Sequence, residues 1–180
     1  MTTHVALLRG INLGARNKVP KQTLLDAFAE AGAADVRTYI QSGNVLFQAD
    51  DGQIDAIAAA IPAALLDRLG LAVPVVVRPV AELRATVADN LFIATGHPAE
   101  QLHVLFLDEE PASDAIGRLD PDWGAPDQFA VIGRAVYLSL PGGVQRSRLT
   151  NDWFDRRLGV VSTSRNWRTT RKLLELCEAN

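Results

Sequence analysis

Arg9, Asn12, Arg16, Asn17 and Lys18 crowd into the stretch Arg9-Gly-Ile-Asn-Leu-Gly-Ala-Arg-Asn-Lys-Val-Pro20, between otherwise apolar segments. Guanidinium and ammonium groups make short, charge-assisted hydrogen bonds to oxyanions, and amides offer donors and an acceptor together. The stretch therefore suits an anion or a polar ligand. It contains no nucleophile, no acid/base pair and no metal ligand, so it identifies no catalytic residue and no reaction. Gln41, Ser42 and Asn44 form a second polar group around Gly43, where each residue also suits a tight turn on conformational grounds. A third set is basic: Arg146 and Arg148, then Arg165, Asn166 and Arg168, with Arg165, Arg168 and Lys172 at the i, i+3, i+7 spacing of one helix face.

Other chemistries lack their residues. His4, His97 and His103 lie far apart and none has a Cys, His or carboxylate at ligand spacing, so no metal site and no cofactor is expected. Asp108-Glu109-Glu110 reads as a solvated turn. Cys177 falls on the apolar spacing of the last helix, as a buried structural thiol would. Neither a Gly-x-Ser-x-Gly elbow nor a phosphate-loop glycine fingerprint is present. The aromatic signature of RNA-recognition sheets is absent as well, which favours a discrete phosphate or nucleotide site over a broad RNA surface.

These residues need elements to hold them. Val5 to Arg9 reads as a strand; Pro20 opens a helix carrying Leu24, Leu25, Phe28 and Ala31; Gly32 closes it. Val36–Gln41 and Val45–Ala49 read as a hairpin. A helix follows with Ile54, Ile57, Ile61, Leu65 and Leu69 on one face, kinked or split at Pro62. Strand Pro74–Arg78 and a helix with Leu83, Val87 and Leu91 complete the first half. The same order restarts at Leu102–Asp108, with a short helix at 115–119 and a hairpin of Gln128–Ile132 and Ala135–Leu140. A helix with Leu149, Trp153 and Leu158 then stops at Gly159, ahead of strand Val160–Ser162 and a last helix holding the Arg165 stripe and Trp167.

The pattern is α+β, two ferredoxin-like βαββαβ units with antiparallel sheets, over residues 1–98 and 99–180. With the first and third strands taken as parallel, the Arg9 and Ser42 loops fall at opposite ends of the first sheet, roughly 17–20 Å apart by strand rise. On that geometry the natural partners of the Arg9 loop are Gln145–Arg148 or Arg165–Arg168 in the second half.

Composition is that of a folded globular chain, with 48% hydrophobic and 22% charged residues. The net charge of −3 argues against a generic nucleic-acid coat, but its distribution matters more: +2 over residues 1–48, −9 over 49–144 and +4 over 145–180. One cysteine, no charged-then-apolar leader and no long apolar run point to the cytoplasm and away from membranes.

Leu7-Leu8-Arg-Gly-Ile-Asn12, Asn17-Lys18-Val-Pro20, Thr38-Tyr-Ile-Gln-Ser-Gly-Asn44, Leu140-Pro-Gly-Gly143 with Ser147-Arg-Leu149, and Arg165-Asn-Trp167 before Lys172-Leu-Leu-Glu-Leu176 together resemble an uncharacterised bacterial family, domain of unknown function 1697. The likeness spans nearly the whole chain. Arg148 stands where that family usually has lysine, and Gly14-Ala15 replaces a more usual glycine pair. The resemblance implies a small cytoplasmic α+β protein and no particular activity. The residues themselves favour a binding protein for an anionic small molecule or nucleic acid. The alternatives are an enzyme acting on a phosphorylated or carboxylated metabolite, or an interaction protein that forms a homodimer.

Overall fold

The computed structural model describes residues 1–179 and divides into two compact units, one of residues 1–84 with 173–179 and one of residues 85–172. The sequence pattern places the division at 98/99, where the strand order restarts; the observed boundaries fall inside two helices.

The first unit contains strands β1 (Thr2–Leu8), β2 (Ala34–Tyr39), β3 (Asn44–Ala49) and β4 (Val75–Pro79), with helices α1 (Lys21–Glu30) and α2 (Ile54–Leu69). Helix α3 (Val80–Ala88) begins here. The sheet order is β2-β3-β1-β4 and every neighbouring pair is antiparallel. Ala6 and Leu8 of β1, Val45 and Phe47 of β3, and Val77 of β4 turn one face toward Leu24, Ala27 and Phe28 of α1 and Ile57, Ile61 and Leu65 of α2, forming the core. Alternate residues of the strands meet the period-3.6 faces of the helices, and the intervening residues of β1 and β3 are buried as well. Of the expected kink or split at Pro62, the split does not occur: α2 continues through it as one helix. A helix-interior proline costs about 3 kcal/mol, which the burial of Ile57, Ile61 and Leu65, each contributing about 2 kcal/mol, offsets.

The second unit repeats the order with β5 (Leu102–Leu107), β6 (Gln128–Ile132), β7 (Ala135–Ser139) and β8 (Ser162–Asn166), arranged β6-β7-β5-β8. Its helices are α4 (Leu91–Ala94), α5 (Ser113–Gly117), α6 (Asn151–Leu158) and the start of α7 (Trp167–Glu178). Leu105, Leu107, Val136, Leu138, Trp153, Phe154 and Leu158 form its core. The last strand runs 162–166, not the expected 160–162, so Arg165 sits on a strand rather than on the helix that follows.

That shift reveals a repeat invisible in the linear sequence. Arg78 of β4 pairs with Val5 of β1, and Arg165 of β8 pairs with Val104 of β5. Both arginines are buried, and each donates from Nη1 to the carbonyl of the residue before it, Val77 at 2.8 Å and Ser164 at 2.7 Å. A buried guanidinium must have its donors satisfied, so the same local solution recurs in both units.

Candidate functional site

The decisive geometry follows from strand direction. β1 and β2 each pair antiparallel with β3, so they run the same way and end at the same edge of the sheet. Leu7 lies opposite Asn44, and Leu8 N–H donates to Gly43 O at 2.7 Å. The Arg9 loop and the β2–β3 turn therefore meet. The expected separation of these loops is wrong because β1 and β3 are antiparallel, which puts the hairpin beside the end of β1.

The loop is built by its own amides. Asn12 and Asn17 both take left-handed backbone angles, φ 54° and φ 50°, which asparagine tolerates better than most residues. Asn12 N–H donates to Asn17 O at 2.9 Å and Arg16 N–H to Leu13 O at 3.0 Å, closing a small turn around Gly14. Asn17 Nδ2 donates to Gly10 O at 2.9 Å. Asn12 Oδ1 accepts from Val19 N–H at 3.0 Å, and its Nδ2 reaches across to Gln41 O at 2.9 Å. One side chain thus fixes the loop and staples it to the neighbouring turn.

The turn is equally self-supporting. Asn44 is buried, and its Nδ2 donates to Tyr39 O at 3.1 Å and Ser42 Oγ at 3.0 Å. Gly43 takes φ 82°, and a Cβ there would lie 2.8 Å from Leu8 Cβ and 2.9 Å from Leu8 O. Only glycine allows so close an approach. Ile40 also has a left-handed backbone, φ 48°, while 52% of its surface is exposed. For a β-branched residue this is a strained position.

Between loop and turn opens a cleft of about 500 Å³ lined by Asn12, Lys18, Val19, Pro20, Lys21, Leu24, Thr38, Ile40, Gln41, Gly43 and Asn44. Lys18 and Lys21 have no ion-pair partner among the described residues, in contrast to Arg68, Arg78, Arg84 and Arg118, each of which meets a carboxylate. Pro20 precedes α1 with no side-chain cap, and the first turn holds no acidic residue. The N–H groups at that helix end and the two ammonium groups all favour negative charge. The lining includes no carboxylate, histidine, cysteine or serine.

Of the sequence candidates, Asn12, Lys18, Gln41 and Asn44 line this cleft, with Ser42 bonded to Asn44 beside it. Arg9, half-buried, begins the loop and its N–H donates to Pro74 O at 3.0 Å; Arg16 and Asn17 lie on the loop's outer part. Asn12, Asn17 and Asn44 act as scaffold through their amides. Lys21, Thr38, Ile40 and Gly43 are lining residues that sequence reasoning missed; their signal is proximity in sequence to both polar groups, once these are known to meet.

The remaining candidates belong to the second unit. Arg165 is buried, its pKa held down to about 10 by desolvation, and Nη1 also donates to Thr163 Oγ1 at 2.9 Å. It is a structural arginine, and the expected Arg165–Arg168–Lys172 helix stripe loses its first member. Asn166 caps α7, its Oδ1 accepting from Thr169 N–H at 2.7 Å, and Arg168 is exposed on that helix. Arg146 is exposed, its N–H bonded to Gly143 O at 3.1 Å. The Arg148 guanidinium lies 4.0 Å from the centroid of the Trp123 ring, and Arg157 stacks over Trp153 at 4.4 Å. These cation–π contacts give both arginines a packing role.

Elsewhere, burial pushes the Cys177 thiol up to about 11, away from reactivity. Among the described residues no three His, Cys, Asp or Glu side chains gather as a metal site, and no helix is long and apolar enough to cross a membrane.

Fold and site define a two-unit α+β protein with a cationic cleft at one edge of its first sheet. No curated protein matches the chain. The chain belongs to the family described as protein of unknown function DUF1697, whose model matches residues 1–137. The conserved bacterial protein SP0830 from Streptococcus pneumoniae has a similar structure, with TM-score 0.67 and 17% identity over 98% of each chain. At that identity the likeness speaks for the fold alone.

Proposed function

We propose that the cleft between the 9–20 loop and the β2–β3 turn binds a small ligand through a phosphate-like oxyanion. The observation that carries this reading is the pair Lys18 and Lys21, without carboxylate partners among the described residues, beside the uncapped start of α1 in a cleft of about 500 Å³. That volume lies within the range of small-molecule sites, roughly 300–1,000 Å³. Binding is favoured over catalysis because the lining holds no carboxylate, histidine, cysteine or serine to activate a lysine or threonine. A discrete ligand is favoured over nucleic acid because Lys18 and Lys21 line one cleft of small-molecule size. The partners of the loop, on this reading, are the residues of the β2–β3 turn and not the second-unit arginines. We also read each unit as ferredoxin-like, supported by the shared strand order and by the helix that links the first and second strands of each sheet.

The test is thermal denaturation with inorganic phosphate and ribose 5-phosphate, using the wild type and the double variant Lys18→Ala/Lys21→Ala. A ligand that binds only the folded state stabilises it by about 1.4 kcal/mol per tenfold rise in concentration above its dissociation constant. The wild type should show a concentration-dependent rise in midpoint that the double variant loses. An equal response in both proteins, or none in either, refutes the proposal.

A further inference from the structure

An oxyanion alone would leave most of this cleft empty, and the rest of the lining indicates what fills it. We infer that the ligand is a nucleoside monophosphate or a close relative, a phosphate joined to a planar heterocycle with apolar faces and a hydrogen-bonding edge; this rests on the phosphate reading above. Three kinds of surface share the one cleft. Lys18 and Lys21 supply cationic donors for the phosphate. Val19, Leu24 and Ile40 supply apolar surface, and of these Ile40 is the exposed one, held in a left-handed conformation that a glycine or asparagine would adopt more easily. The Thr38 hydroxyl and the Gln41 side-chain amide supply donors and acceptors, and neither has a protein partner among the described residues.

The combination discriminates between ligand classes. A sugar phosphate would meet the lysines and the polar groups but leave Ile40 against water. An acyl or alkyl phosphate would cover Ile40 but present nothing to Thr38 and Gln41. A nucleobase satisfies both, because its faces are apolar enough to lie on an aliphatic side chain and its edge carries alternating donors and acceptors. The turn that presents Ile40 and Gln41 is locked by Asn12 Nδ2 on Gln41 O and by Asn44 Nδ2 on Tyr39 O, so this surface is in place before any ligand arrives.

The experiment is isothermal titration of the full chain with ribose 5-phosphate, the four common ribonucleoside monophosphates and the corresponding unphosphorylated nucleosides, repeated with Ile40→Gly and Gln41→Ala. Glycine relieves the backbone strain at position 40, so that variant should stay folded. At least one monophosphate should bind ten-fold or more tighter than ribose 5-phosphate. Ile40→Gly should lower that affinity five-fold or more while leaving ribose 5-phosphate binding within two-fold, and Gln41→Ala should change the ranking among bases. Equal affinity for ribose 5-phosphate and every monophosphate, or no effect of Ile40→Gly, overturns the nucleotide assignment and leaves the phosphate site standing. Binding of nucleosides as tightly as of their monophosphates overturns the phosphate reading itself. Failure of every phosphorylated probe to bind overturns both.

Discussion

Gly43 is the position at which the two halves of the cleft touch, so its substitution by alanine tests the geometry most directly. Two penalties add. The left-handed φ of 82° costs an alanine about 1 kcal/mol relative to glycine. The new Cβ would lie 2.8 Å from Leu8 Cβ and 2.9 Å from Leu8 O, well inside the ordinary carbon contact of about 3.5–4.0 Å. Because one neighbour is backbone, relief requires moving β1 away from the turn, and overpacking of this kind costs about 1–3 kcal/mol. Such a shift also stretches the 2.7 Å bond from Leu8 N–H to Gly43 O, a further loss of about 1 kcal/mol. The sum is about 3–5 kcal/mol. Gly14→Ala is the matched control, since Gly14 has φ 57° but a methyl group added there would meet no heavy atom within 4 Å; it should lose only about 1 kcal/mol. Urea denaturation followed by far-ultraviolet circular dichroism gives both values. Tryptophan fluorescence is the wrong probe, because Trp123, Trp153 and Trp167 all belong to the second unit. Hydrogen exchange at the Leu8 amide should accelerate in Gly43→Ala and stay unchanged in Gly14→Ala. If the two variants lose stability equally, within about 0.5 kcal/mol, the close approach of turn and strand is wrong.

Asn12→Ala removes the bonds to Gln41 O and Val19 N–H and places alanine at φ 54°, so it should lose about 2–3 kcal/mol by urea denaturation and weaken phosphate binding as the turn loosens. Tyr137 donates to Thr86 O at 3.0 Å and burial pushes its pKa up to about 12, with the charge of Asp89 adding to the rise. In a Tyr39→Phe background, phenolate absorbance should therefore appear near pH 12 in the folded protein. The unfolded chain releases this proton first, near pH 10, so the stabilisation is complete below pH 10 and is lost as pH rises toward 12, at about 1.4 kcal/mol for each pH unit between those two values. A native-state titration near pH 10 would show that the hydroxyl is not buried as described.

Most elements are legible in the sequence because they follow from local preferences. The β1 run, the hairpin around Gly133, the α6 stop at Gly159 and the period-3.6 faces of α1 and α2 all lie where apolar spacing and turn residues put them. Pro62 does not split α2 because the local loss of one hydrogen bond is outweighed by burial that no local rule registers. The strand at 162–166 escapes sequence reasoning for a related reason: Ser162-Thr-Ser-Arg-Asn166 is polar in composition, and only its pairing with β5 makes it a strand. Arg165 follows it from an expected exposed helix face to the interior.

By itself the sequence determined that the protein is α+β, that its strand and helix order recurs, and that the polar residues at 9–18 and 41–44 are set apart from the rest. Each of those statements depends on the character of neighbouring residues, which is written in order along the chain. Only the tertiary structure decided which polar groups face one another. The antiparallel pairing of β1 with β3 brings Asn12 to Gln41 and turns Lys18 and Lys21 toward Thr38 and Ile40, while the pairing of β8 with β5 makes Arg165 a buried repeat of Arg78. Strand direction in a sheet is fixed by hydrogen bonds between segments distant in sequence, so no local pattern carries it.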